Sequence, residues 1–123
     1  VADPRRALGA LGERLARLHL ETHGYTILAA NHRTPLGEID LVATEGGCLV
    51  IVEVRTRRGV ARGTPAESVN RAKARKLAAL AEEYAAAHPE LPPDLRVDVV
   101  AVQFTPQGRL QGVEVIQNAV PGR

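Results

Sequence analysis

Between Arg5 and Thr22 leucines recur at helical spacing (Leu8, Leu11, Leu15, Leu18), with Arg14 and Arg17 on the far side. Asp3-Pro4 is a start signal and Gly24 a stop, so the pattern predicts an opening amphipathic helix. Tyr25–Ala30 and Glu38–Ala43 read as short strands separated by Pro35-Leu36-Gly37. Alternation in the second places Glu38 and Asp40 on one face, Ile39 and Leu41 on the other. Glu45-Gly46-Gly47 has the composition of a hairpin turn. It leads into Leu49-Val50-Ile51-Val52-Glu53-Val54-Arg55, which is apolar on both faces, as a central strand covered on each side must be. Thr56–Ala66, with Gly59, Gly63 and Pro65, reads as an arginine-rich loop. A second helix is expected over Ala66–Ala87, its apolar side formed by Val69, Leu77, Leu80 and Tyr84 and its end set by Pro89. After Pro92-Pro93, Arg96–Phe104 and Gln111–Gln117 form two last strands. The order helix-strand-strand-strand-helix-strand-strand predicts a mixed α/β fold, with a central mixed sheet of about five strands flanked by helices.

A length of 123 residues fits one domain spanning 1–123. Tyr25, Tyr84 and Phe104 are the only aromatics, so the core is built from aliphatic residues. Base stacking on aromatic platforms has little material here. Cys48 is alone, which excludes an intrachain disulfide. No apolar run approaches the roughly 18–20 residues of a membrane span. Val1–Arg6 lacks the apolar stretch of a signal peptide, so a cytoplasmic location is the expectation. Net charge is only +2, but its distribution is uneven. Arg55, Arg57, Arg58, Arg62, Arg71, Lys73, Arg75 and Lys76 stand against Glu67 alone, giving this segment +7 and leaving the rest at −5. Such a segment suits a polyanion, and equally a solvated loop and helix face.

The hairpin turn pairs the second and third strands antiparallel, which allows Asp40 and Glu53 to lie near each other on one side of the sheet. Two carboxylates beside apolar positions repel each other and lose hydration, a conflict that a cation between them relieves. Mg²⁺, a hard cation that takes oxygen ligands, fits that description and stabilises charge developing on a phosphate. Structural ion pairs would explain the same residues: Glu53 with Arg55 or a helix cation, Asp40 with loop backbone.

Gly37-Glu38-Ile39-Asp40-Leu41-Val42 followed by Val50-Ile51-Val52-Glu53-Val54-Arg55 resembles the PD-(D/E)xK nuclease signature. There, an acid on one strand and an acid-x-Lys on the next assemble a metal site. Gly12-Glu13, Asn31, Arg33, Arg57, Gly63, Val69, Lys73 and Arg96-Val97-Asp98-Val99-Val100 extend the match. The chain resembles the uncharacterised bacterial YraN-type family, related to archaeal Holliday junction resolvases. The resemblance implies a restriction-endonuclease-like fold and Mg²⁺ (or Mn²⁺) held by Asp40 and Glu53, with the Val54 carbonyl and Glu13 as further ligands. On the helical wheel Glu13 sits on the flank of the apolar stripe, and pairing with Arg17 at i+4 is the alternative.

One position departs from the signature. Arg55 stands where the superfamily has Lys, and Arg stays charged and cannot serve as a base. It can still stabilise a phosphate. Lys73 falls near the centre of the second helix's apolar side and is the candidate replacement, with snorkelling past the sheet edge as the plain alternative. The resulting expectation is a metal-dependent endonuclease acting on DNA, branched or structured DNA by analogy. Asp40, Glu53, Arg55 and Lys73 would be catalytic, with Arg33, Arg57, Arg58, Arg62, Arg71, Arg75 and Lys76 on phosphates. The rivals are a non-catalytic nucleic-acid-binding module and a protein-interaction scaffold. A homodimer would suit the two-fold symmetry of a junction. His19 and His23 are four apart but lack a third ligand, so a helix-end role explains them better than zinc.

Overall fold

The computed structural model describes residues 3–60 and 63–120. Helix α1 (Pro4–Glu21) begins where Asp3 accepts the Arg5 N–H at 3.0 Å and Pro4 presets the first turn. Strands β1 (Thr26–Thr34), β2 (Gly37–Glu45) and β3 (Cys48–Arg58) follow, then helix α2 (Arg71–Ala87) and strands β4 (Asp94–Phe104) and β5 (Leu110–Ile116). They form one mixed five-stranded sheet in the order β1-β2-β3-β4-β5. The β3–β4 pair is parallel, joined across the sheet by α2, and the other pairs are antiparallel.

The order of elements is the one expected, while several boundaries differ. Strand β3 runs on to Arg58, because its pairing with β4 holds as far as Arg58 opposite Phe104. Thr56, Arg57 and Arg58 are therefore strand rather than loop. Helix α2 starts at Arg71, where Asn70 accepts the Lys73 N–H at 2.8 Å. Ala66–Ser68 form a separate 3₁₀ turn.

Helix α1 packs on one face of the sheet against Leu41, Val50, Val52, Val100, Val102 and Phe104. Helix α2 packs on the other against Ile39, Val42, Leu49, Ile51 and Val97. The double covering explains why β3 is apolar on both faces. The leucine stripe on α1 needs correction, since Leu18 is 58% exposed. The buried residues of the helix are Gly12, Ala16 and Leu20. Small side chains at 12 and 16 let the helix come close, so the contact line runs through them rather than through every leucine. No helix among the described residues is long and apolar enough to cross a membrane.

Strict alternation also fails in β2. Ile39 belongs to the α2 core and Leu41 to the α1 core, although one residue separates them. Asp40 is that residue. Asn31, in the same stretch of β1, has φ 53°, so both strands are irregular together. The β2–β3 ladder runs from Glu45 opposite Cys48 to Leu41 opposite Val52 and stops there. One step further would have set Asp40 directly across from Glu53.

Candidate active site

Where the ladder stops, Asp40 turns into the gap between β2 and β3 and accepts the Val54 N–H at 2.7 Å. Burial pushes its carboxyl up to about 7, and the nearby Glu53 and Glu13 charges add to the effect against the Val54 bond. Asp40 opens toward α1, sharing a cavity of about 450 Å³ with Arg6, Gly9, Ala10, Glu13, Val54 and Thr56.

Glu53 keeps to the opposite face, in phase with Leu49 and Ile51 beneath α2. It is 7% exposed. Its Oε2 takes the Lys73 Nζ at 3.1 Å and the Arg55 Nε at 3.4 Å. The expectation that Asp40 and Glu53 share one side of the sheet is thus corrected: they meet through the gap, each from its own face. Arg55 Nε is buried and makes no hydrogen bond, while its Nη2 reaches the Ser68 carbonyl at 3.4 Å. Lys73 arrives from the first turn of α2, positioned by the Asn70 cap.

Glu13 is brought to the gap by its neighbour. A Cβ on Gly12 would collide with Thr56 Oγ1, so glycine is what lets α1 settle on β3. Glu13 does not pair with Arg17, which binds Glu21 at 3.7 Å instead. The Asn31 carboxamide, its nitrogen facing the acids, donates to Glu13 Oε1 at 2.9 Å and Glu38 Oε1 at 3.0 Å. Burial first and Glu38 second hold the Glu13 carboxyl above the usual range. Among the described residues no three His, Cys, Asp or Glu side chains converge on a common metal position.

The basic segment is not one surface. Arg57 lines a separate groove of about 280 Å³ with Gly63, Pro65, Gln103 and Glu114. Arg58 donates to the Pro106 carbonyl at 2.9 Å. Arg71 and Arg75 are exposed on α2, and the Lys76 side chain lies over Gly37. Arg33 faces Glu38 at 3.7 Å. Arg62 lies outside the described residues. His19 and His23 stack at 4.1 Å, with His23 Nδ1 on the His19 carbonyl at 2.7 Å, which serves the helix end.

A model of the uncharacterised protein family UPF0102 matches residues 12–102. The chain belongs to this family. The match runs from Gly12 into β4 and takes in Glu13, Asp40, Glu53, Arg55 and Lys73. The chain is similar to the UPF0102 protein STH1475 of Symbiobacterium thermophilum, 51% identical over 93% of this chain and 96% of that one. It is also similar to UPF0102 proteins of Clavibacter michiganensis, 46% identical over 91% and 94%, and of Anaeromyxobacter dehalogenans, 48% identical over 83% and 76%. The YraN-type resemblance holds at this family level. Two residues lining this candidate site carry no signal in the sequence. Arg6 belongs to an ordinary helix start, and Thr56 falls where the glycines and proline predict a loop. The bridging role of Asn31 shows only as its positive φ, which no periodicity reveals.

Proposed function

We propose that this UPF0102 protein is a metal-dependent endonuclease of the PD-(D/E)xK superfamily, cutting phosphodiester bonds in branched or structured DNA in the cytoplasm. The observation that carries the reading is Asp40, raised to about 7 in a gap where Glu53 meets it from below with Lys73 and Arg55 attached. Lone structural acids do not need a second buried carboxylate beside them.

The residues fit a hard divalent cation such as Mg²⁺. Asp40 Oδ2 is taken by Val54, leaving Oδ1, and Glu53 Oε2 is taken by its two cations, leaving Oε1. These oxygens and the Val54 carbonyl would hold the ion, and Mg²⁺ characteristically keeps several waters besides one or two carboxylates. Glu13 lines the same cavity as Asp40 and, with its Oε1 held by Asn31, would offer Oε2 as a further ligand. When bound, the ion neutralises the carboxylate pair, makes a water more acidic and stabilises negative charge on the phosphate. Lys73 and Arg55 keep positive charge beside Glu53, where they would orient a phosphate oxygen. Of the two, Lys73 alone can exchange a proton, and it takes the part of the missing signature lysine. Arg33, Arg57, Arg58, Arg62, Arg71, Arg75 and Lys76 would contact backbone phosphates, making binding salt-dependent and poor in sequence preference.

One observation favours a second reading. Lys73 and Arg55 already satisfy Glu53 as a closed ion-pair cluster, which a non-catalytic DNA-binding module of the same fold would also need. Four-way junction, flap, single-stranded and linear duplex DNA incubated with Mg²⁺, Mn²⁺ or EDTA separates the two. The nuclease predicts metal-dependent cleavage that Asp40→Asn and Glu53→Gln both abolish. Tight, salt-sensitive binding without cleavage selects the module.

A further inference from the structure

Beside the Asp40 cavity lies a second hollow of about 530 Å³ between α1 and β1, bordered by Ala7, Leu11, Arg14, Arg17, Asn31 and Leu41. The two have Ala10 and Glu13 in common, so they adjoin along α1 as the two parts of a trough. Arg6 stands at one end and Arg14 toward the other, eight residues or about 12 Å apart along the helix axis. That is roughly three steps of one duplex strand at ~3.4 Å each. Of the other arginines on this helix, Arg5 faces Asp3 and Arg17 pairs with Glu21. Among the described residues Arg6 and Arg14 take no carboxylate partner. Both are exposed.

Gly9 gives the trough its access. Glycine inside a helix costs roughly 0.5–1 kcal/mol relative to alanine. Here no packing demands it, since a Cβ would meet nothing within 4 Å. The missing side chain leaves an open approach to Asp40. The α2 side of the gap is closed by contrast, because Lys73 and Arg55 cover Glu53 there.

We infer that the α1 trough is the path of the DNA strand to be cut, with Arg6 and Arg14 holding backbone phosphates on either side of Asp40. This rests on the nuclease reading and adds to it the face by which substrate enters. The α1 helix, and not only the arginine-rich β3–α2 segment, is then a nucleic-acid contact.

The test is fluorescence anisotropy of fluorescein-labelled duplex and four-way junction DNA in EDTA, over a series of salt concentrations. The proteins are wild type, Arg6→Ala/Arg14→Ala, Gly9→Leu, and Arg109→Ala as a control on the exposed β4–β5 turn. Losing two phosphate contacts should flatten the plot of log affinity against log salt by about 2 and weaken binding roughly tenfold or more near 0.1 M salt. Gly9→Leu, filling the trough, should weaken binding as much while the melting temperature holds or rises, and Arg109→Ala should do nothing. Wild-type affinity and slope in both trough variants would overturn the inference and leave the nuclease reading standing. A wild type that binds no DNA, or binds an RNA duplex in its place, would overturn both.

Discussion

Replacing Asp40 by Asn should stabilise the protein at pH 8 and do so by about a third as much at pH 5. The carboxyl sits near 7 in the folded chain, against about 3.9 in an unfolded one. The folded state therefore binds this proton more tightly. The stability it contributes is complete below about pH 4 and is lost as pH rises through 7. Three pKa units correspond to about 4 kcal/mol, and solvent screening of a half-buried group reduces that to roughly 2 kcal/mol. The carboxamide keeps an oxygen for the Val54 N–H and offers Glu53 an N–H in place of a negative charge. Urea unfolding in EDTA measures the effect. With a slope of about 1–3 kcal/mol per molar, the Asp40→Asn midpoint should exceed wild type by about 1 M at pH 8 and by much less at pH 5. Every other side chain is common to both proteins, so the difference between them isolates Asp40. Adding Mg²⁺ at pH 8 should raise the wild-type midpoint and leave the variant's unchanged, because only wild type then gains a ligand. Two midpoint curves running parallel from pH 5 to pH 8 would refute the reasoning, since Asp40 would then not carry the strained charge.

Three further outcomes test the frame around the site. Gly12→Ala should cost about 1–3 kcal/mol by driving a methyl into Thr56, and Thr56→Ala in the same chain should restore most of the loss in thermal melts. Tyr25→Phe should cost about 1–3 kcal/mol in urea titration. Its hydroxyl donates to the fully buried Asp98 at 2.7 Å and accepts from Gln117 at 2.9 Å, so both partners are left short. Lys73→Ala should lower cleavage by roughly 100-fold or more while DNA affinity in EDTA changes little. Equal losses in both would make Lys73 a phosphate contact only.

The layers were legible because apolar period constrains them. Leu49–Val54 cannot be buried on both faces without two helices to cover them, and the spacing of the second helix supplied one. The Glu45-Gly46-Gly47 turn fixed the β2–β3 register closely enough to bring Asp40 level with Glu53. Leu18 misled because a helical wheel weighs hydrophobicity, whereas the approach of α1 is decided by how little Gly12 and Ala16 occupy. The +7 segment misled in another way. Sequence adds charges that the fold then spends locally: Arg55 and Lys73 on Glu53, Arg58 on Pro106. Arg6, in an Arg5-Arg6 pair at a helix start, carried no such signal.

The irregularity at Asp40 was invisible for a physical reason, and the site depends on it. In an unbroken antiparallel ladder Asp40 and Glu53 would face each other on one side, with Cβ atoms about 4.5–5.5 Å apart. Lys73 could then neutralise both, and the pair would be an ordinary buried ion cluster. Because β2 joins the ladder only at Leu41, the Val54 N–H is bound by the Asp40 carboxylate. Glu53 stays under α2 with its two ion-paired cations, and Asp40 opens to α1, where Arg6 lines the cavity without an ion-pair partner among the described residues. The sheet thus separates a closed, ion-paired side from an open one while keeping the two carboxylates in electrostatic contact. A cation entering from α1 and a phosphate steered by Arg6 would meet Asp40 first, with Lys73 and Arg55 already fixed behind it. That asymmetry argues for a working site over a structural ion pair, since stability alone would favour closing the gap.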